Sequence, residues 1–576
     1  DEGWEQGPWG ECYTGIYQAS VFIHNIDRNT KFTEEERADY KAQARFVRAY
    51  YYWLLLRKYG PIPIMPDEGM DFTQEYEDLA VARSSYDEVA NFIASEMQIA
   101  AKDLPLERGP LAIARPTRGA ALAARAKVLL YAASPINNPH PSDTEKFSDM
   151  VNFDGKHLIA QEYDETKWAR AAAAALDVME LPGNQANGKR YDLYHLGRRT
   201  SGSVGYPVTI EPYKDGDFSE HTWPDGWQDI DPFESYRSLF DGEVSASDNY
   251  ELIFTRGQNQ SSEGVDIMVV HQLPTSATGW NTHGLTQKMC DAYYMNDGSD
   301  CPGKDLEIGG ANGTVRETGF VDETNQENYP ELGEHRIGVS LQYVQREPRF
   351  YASVAYNGST WFLLNESNDA NRNQQVFYYR GMGNGYNNNN AFWLRTGIGV
   401  KKFVHPYDTH ENRDMGRIRR KAEPAIRYAE ILLIYAEALN ELDGSHNIES
   451  WDGSKTYTIK RDINEMKKGI RPIRCRAGIP DYTAAEYASK DLFREKIKRE
   501  RMIELMGEGH RYYDLRRWKD AEKEESQPIY GCNTLMTEQY KDLFHIPVVV
   551  PSLPTNFSRK MYFWPISHSE LKRNRL

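Results

Sequence analysis

This sequence of 576 residues has no apolar run near the ~20 residues that a membrane-spanning helix needs. Its densest stretch, Ile431 to Leu439, is broken by Tyr435 and Glu437, which excludes a transmembrane helix. Positive charge is also short. Lys and Arg number 68 against 85 Asp and Glu, a net −17, whereas phosphate neutralisation needs the opposite balance. Nucleic acid is excluded as a partner, and so is adhesion to an anionic lipid surface by charge alone. The five cysteines, Cys12, Cys290, Cys301, Cys475 and Cys532, form no C-x-x-C pair, so neither a redox motif nor a zinc knuckle is indicated. Cys290 and Cys301 are close enough to bridge a loop in an oxidising compartment, or they are separate buried thiols.

Catalytic signatures are missing as well. No H-E-x-x-H, G-x-S-x-G, Walker A or G-x-G-x-x-G occurs. Gly381 to Gly385 and Gly397-Ile398-Gly399 come nearest to phosphate loops, fail on spacing, and read as turns. Glycoside hydrolysis needs two carboxylates across a scissile bond. Glu500, Glu504 and Glu508 stand at i, i+4 and i+8, but Arg499, Arg501, Arg511, Arg516 and Arg517 crowd the same stretch. That density reads as a structural ion-pair lattice. Glu430 and Glu437, in an apolar helix, are expected to pair with arginines, and His405, His410 and His510 to be structural rather than metal ligands. No enzyme, cofactor or metal site is expected.

What is abundant is aromatic: 12% of the chain, with 37 Tyr and 12 Trp. Such rings offer a flat apolar face and a polar tip, which suits carbohydrate or peptide binding. The length exceeds the ~250–300 residues one core can serve, so several domains or a scaffold with large insertions is required. Capping boxes at Thr33/Glu36 and Ser85/Glu88 open two helices; a third follows Thr117, and a fourth, Ala-rich, runs from Glu165 to Leu181. Near the C-terminus, Pro424 suits a helical first turn before a helix over Ile426 to Leu442, apolar nearly all round and therefore buried. Others span Ala484 to Met506 and begin at about Arg511. Between 183 and 420 the helical periods vanish. Strand-like pieces such as Ile267 to Val270 lie among Gly, Asn and aromatics, and Asn387 to Asn390 reads as a solvated loop tip. The expectation is an all-α, tetratricopeptide-like helical scaffold, 1–182 with 421–576 packed as one unit, holding an irregular insertion, 183–420, with short strands. No clean 34-residue repeat is visible.

The ends carry specific motifs. Ala44 to Tyr52 with Tyr59-Gly60-Pro61-Ile62-Pro63 resembles the first signature helix of the SusD/RagB family, the outer-membrane nutrient-binding lipoproteins of Bacteroidetes. Arg427 to Glu441 resembles its second signature, and Ile463-Asn464 with Arg474 to Gly478 a third. Glu500-Arg501, Glu504-Leu505, Glu508-Gly509, Arg511 and Asp514 to Trp518 are similar to the strongest. Asp291 to Gly298 and Trp564-Pro565-Ile566 match a middle and a closing segment. All occur in family order over nearly the whole chain.

The resemblance implies a tetratricopeptide-like scaffold with an irregular ligand-binding face, held at the cell surface by a lipidated N-terminal Cys. It also implies a partner, a SusC-like TonB-dependent transporter that receives captured glycan or sometimes peptide. No leader is visible at Asp1 and Cys12 follows no lipobox, so the anchor is inferred. The candidate platforms are Trp223, Trp227, Trp280, Trp361, Trp393, Tyr293, Tyr378 and Tyr379, with Asn281 and Arg380 as polar partners; Trp53 is expected in the core. Glycan capture leads, peptide capture for the same importer follows, and a helical glycosidase is last.

Overall fold

The computed structural model describes residues 8–69, 73–198, 210–255, 264–310, 312–387, 392–551, 553 and 555–575. Helix accounts for 42% of the protein and no described strand exceeds five residues, so the class is all-α. Helix α1 (Trp9–Asn25) packs on α2 (Glu34–Tyr59), which packs on α3 (Tyr86–Asp103). Next come α4 (Arg118–Ala133) and α5 (Thr166–Met179), each against its predecessor. Thr33 and Ser85 cap α2 and α3 with both halves of the box, and Thr117 accepts from the Ala120 N–H. Gly60, at φ +73°, ends α2, a conformation that a Cβ would oppose. The alanines of α4 and α5 are almost fully buried, which lets these helices approach closely. Trp53 is core, edge-on to Tyr131 at 4.7 Å.

After α6 (Val265–Gln272), the chain returns to the scaffold at α7 (Tyr428–Asn440), all thirteen residues of which are buried. It packs on α4, α5, α8 (Ile463–Ala477) and α9 (Lys490–Glu504), and so joins the two ends of the chain. A shorter helix, α10 (Arg511–Arg517), follows.

Several expectations are corrected. Pro424 does not open a helix: Pro424–Arg427 is strand β2, paired antiparallel with β1 (Leu252–Thr255), and the helix starts at Tyr428. Ile267 to Val270 lies in helix α6, because a short apolar run carries no period to tell helix from strand. The span Ala484 to Met506 breaks at Ser489, whose hydroxyl caps α9 through the Leu492 N–H. Helix α8 was hidden by Gly469 and Pro472. Yet Gly469 is where α7 crosses: a Cβ there would stand 2.5 Å from the Leu432 carbonyl oxygen. Strands β3 (Ser445–Glu449) and β4 (Thr456–Lys460) form a hairpin bonded back to Asp177 of α5 through Trp451 and Tyr457. Asn388 to Asn390, read as a loop tip, lie outside the described residues. All five cysteines are free buried thiols.

The acidic ladder is an ion-pair lattice, but with distant partners, and only Glu500 and Glu504 stand on α9, Glu508 lying beyond its end. Arg349 reaches Glu500 at 2.6 Å and Glu504 at 2.8 Å, and Arg474 reaches Glu500 at 3.2 Å. Arg427 of β2 binds Glu251, Glu504 and Glu508 at 2.7–2.8 Å, Arg476 pairs with Glu251 and Glu504, and Lys402 holds Glu508. The neighbouring arginines turn elsewhere: Arg499 to Asp300, Arg501 to Asp514, Arg511 to Glu524, Arg516 to Glu525, and Arg517 to Glu437. Glu430 pairs with Lys127 rather than an arginine, at 2.8 Å. The lattice binds segments 251, 347–349 and 427 to α8 and α9, and segment 402 to the turn that follows α9.

Burial alone would raise these carboxyls, but facing guanidiniums outweigh it and hold Glu437, Glu500, Glu504, Glu508 and Asp514 below their ordinary values. A depressed folded pKa adds stability above the unfolded value that is lost as pH falls through the folded one. The lattice's contribution to stability is therefore expected to be complete above about pH 5, and thermal melting to drop steeply below about pH 4. A level profile from pH 5 to 3 would mean that the lattice carboxylates are not held ionised.

Candidate functional site

Helix α6 begins after Gly264 and stops at Leu273-Pro274, where proline cannot continue it. The chain then folds back on α6, with Thr278 at φ +59° and Asn281 at φ +50°. The Trp280 N–H donates to the Val270 carbonyl at 2.8 Å, and the Asn281 N–H to that of Leu273 at 3.0 Å. This turn sets the Trp280 ring edge-on to His271, centroids 4.5 Å apart, and leaves it partly exposed. Phe392, 47% exposed, stacks on the Trp280 ring at 6.0 Å and 13°. Trp393 follows in the chain, with Tyr386 at 4.7 Å and the exposed Arg395 guanidinium 4.4 Å over its ring.

Two side chains lock the loop that carries Tyr386. Asn281 Nδ2 donates to the Asn384 carbonyl at 2.8 Å, and Thr275 Oγ1 donates to the Gly383 carbonyl at 2.6 Å. Beside this aromatic rim, reached through His283, lies a cleft of about 1090 Å3 lined by Met268, Gln272, Thr282 and His283 and by Met502, Arg511 and Tyr530. His271 and His283 stack at 4.9 Å. Burial lowers both, and His283, with His271 adding to it, falls to about 4. Both are neutral at pH 7, so each ring has one nitrogen to give and one to take a hydrogen bond. His271 Nδ1 already shares one of 2.6 Å with Thr282 Oγ1.

The structure brings together Trp280, Asn281 and Trp393 of the expected set, with Arg380 exposed where the Tyr386 loop begins. Asn281 is 1% exposed and acts by positioning that loop. Trp227, Tyr293, Trp361, Tyr378 and Tyr379 are interior. Trp227 packs among Phe218, Ile230 and Cys475, Tyr293 against Phe350, and Tyr379 stacks on Phe377 at 5.6 Å. Trp361 sits in a strand paired with Gln374–Val376. Trp223 is partly buried in the Trp227 cluster, near His195 at 4.9 Å. His271, His283, Tyr386, Phe392 and Arg395 were not anticipated. Phe392 and Arg395 flank Trp393, so an aromatic–basic run was readable; the histidines needed the turn.

The carboxylates lining the cleft are engaged. Arg316 binds Asp291 and Glu307, Lys304 binds Asp305, Lys288 and Arg511 bind Glu524, and Arg516 binds Glu525. Burial raises the Glu524 carboxyl, but the Lys288 bond and charge carry it below the ordinary range. The carboxyls pushed up to about 6, Asp177 and Asp241, are structural partners of Arg125 and Arg237 and lie outside this cleft. No group of three or more potential metal ligands occurs among the described residues.

The family model described as the SusD family matches residues 236–576, and one described as starch-binding associating with outer membrane matches residues 4–130. Among curated proteins, the chain is similar to SusD-like protein P25 of Formosa agariphila, 28% identical over 93 residues. That match spans 16% of this chain and 17% of that protein. Among solved structures, it is similar to BT4246, with a TM-score of 0.72 and 23% identity over 98% of this chain and 88% of that one. A SusD-like carbohydrate binding protein of Bacteroides fragilis, BF0978, gives 0.63 and 20% over 100% and 86%. A second SusD-like protein of that species, BF3747, gives 0.63 and 21% over 98% and 84%. At these identities the structural likeness establishes the fold, a tetratricopeptide-like helical scaffold.

Proposed function

The chain belongs to the SusD family, and we propose on that premise that it captures oligosaccharide or polysaccharide without turnover, at the cell surface, for a SusC-like TonB-dependent outer-membrane transporter. The observation that carries this reading is the aromatic rim, Trp280 with Phe392 and Trp393, beside a cleft of about 1090 Å3. Sugar rings present patches of C–H bonds that stack on such faces, while their hydroxyls bond to imidazole, amide and guanidinium groups. His271, His283, Gln272 and Arg395 supply those groups around the rim and cleft. The descriptions of the second matching family model, which names starch, and of BF0978, which names carbohydrate, support sugar as the ligand class.

Capture without turnover is supported by the carboxylates. Hydrolysis needs an acid that stays protonated near neutrality, whereas those lining the cleft are ion-paired and Glu524 is held ionised. The second family model's description, which names association with outer membrane, supports attachment there, and we infer that it is through a lipid anchor. Affinity electrophoresis through gels containing plant, host and microbial polysaccharides tests the reading. Retardation by at least one is expected. No retardation by any, with binding to protein digests instead, would move the ligand class to peptides.

A further inference from the structure

A second pocket, of about 200 Å3, lies apart from the aromatic rim and is lined by Phe233, Tyr351, Tyr356, Thr360, Phe362 and Lys401, with exposed Glu334 and His335 at its mouth. Lys401 is partly buried, and its Nζ stands 5.8 Å from the centre of the Tyr356 ring. Among the described residues no carboxylate pairs with it. The charge that bears on it is a like one, Arg237, itself engaged by Glu234 and Asp241. Burial first, then Arg237, pushes the Lys401 ammonium down to about 8, which leaves it mainly charged at pH 7. The Thr360 hydroxyl oxygen is buried with no hydrogen-bond partner. Glu331, also in the wall, accepts from the Gln345 N–H at 2.8 Å, and burial raises its carboxyl.

A lysine held among aromatic rings without an anion is costly to keep unless something supplies the anion. Lys402 next to it shows the contrast, being fully engaged by Glu508 at 2.8 Å. The volume is that of roughly seven waters at ~30 Å3 each, which suits one ring rather than a chain of them. We propose that this pocket binds a carboxylate carried on a single sugar ring, a uronic acid unit. The Lys401 ammonium pairs with the carboxylate, the Thr360 hydroxyl bonds to the ring's oxygens, and the Tyr356 and Phe362 faces hold its C–H side. The sugar part rests on the glycan reading above; the anionic part rests on Lys401 alone.

Calorimetry with three probes tests it: a galacturonate disaccharide, its methyl ester, and the neutral galactose disaccharide. In the unaltered protein the acid is expected to bind about ten-fold more tightly than the ester, the scale of one charge-assisted hydrogen bond. In Lys401→Met, which keeps the length and removes the charge, acid and ester should bind alike, with melting no lower than in the parent. Equal binding of acid and ester by the unaltered protein overturns the proposal whatever the variant does. So does a preference that survives Lys401→Met. If neutral polysaccharides retard the protein while acid and ester bind alike, the pocket assignment fails and glycan capture stands. If no sugar of any kind binds, the glycan reading fails with it.

Discussion

Replacing Trp280 with alanine is expected to weaken oligosaccharide binding about 30-fold, or about 2 kcal/mol, with little change in melting temperature. The ring is the central piece of the rim: His271 stands edge-on to it at 4.5 Å, Phe392 stacks on it at 6.0 Å, and the cleft wall at Thr282 and His283 begins two residues on. Removing it takes away a platform while the turn beneath is kept by backbone bonds from Trp280 and Asn281 to Val270 and Leu273. Trp227 supplies the contrast. It is 2% exposed among Phe218, Ile230 and Cys475, so Trp227→Ala should cost about 3–5 kcal/mol of stability. Isothermal calorimetry against the best-binding oligosaccharide, with calorimetric melting of both variants, separates the two roles. Full affinity in Trp280→Ala would remove the rim from the binding site.

Glu504→Ala should be the most damaging single change to the scaffold. Its carboxylate is fully buried and shared by Arg349 and Arg427 at 2.8 Å and by Arg476. Taking it away leaves three guanidiniums in a dry interior with one fewer anion, a change that costs about 3–5 kcal/mol when a buried pair is broken. The lattice also joins β2, α8 and α9 to the segment around Arg349, so the loss should be felt on both sides. Urea unfolding should show a lower midpoint, or no soluble folded protein. A midpoint within error of the parent would mean that the lattice relaxes around the missing charge.

The scaffold was legible because its signals are local. Thr33 with Glu36, Ser85 with Glu88, and the alanines after Thr117 each specify a cap or a packing face within a few residues. Helix α8 was not, because Gly469 and Pro472 read as breakers, and only the close crossing of α7 explains the glycine. The partners of Glu500 and Glu504 were equally hidden. Arg349 is some 150 residues away in sequence, and nothing near it names its target.

The rim shows the same limit. Composition marks Trp and Tyr as candidates but does not separate Trp361, covered by the strand Gln374–Val376, from Trp280, turned outward by residues of left-handed backbone. Asn281, a candidate polar partner by residue type, is buried and ties the Asn384 loop. Lys401 carries no signal in the sequence, where an unpaired lysine looks like any other; its isolation exists only once Phe233, Tyr351 and Tyr356 surround it.

Capture without turnover is put to the test by equilibrium dialysis of the protein against an oligosaccharide drawn from the best-retarding polysaccharide, with chromatography of both chambers. An excess of the sugar is expected on the protein side, all of it at its original length. Equal concentrations across the membrane, or shorter products in either chamber, would contradict it.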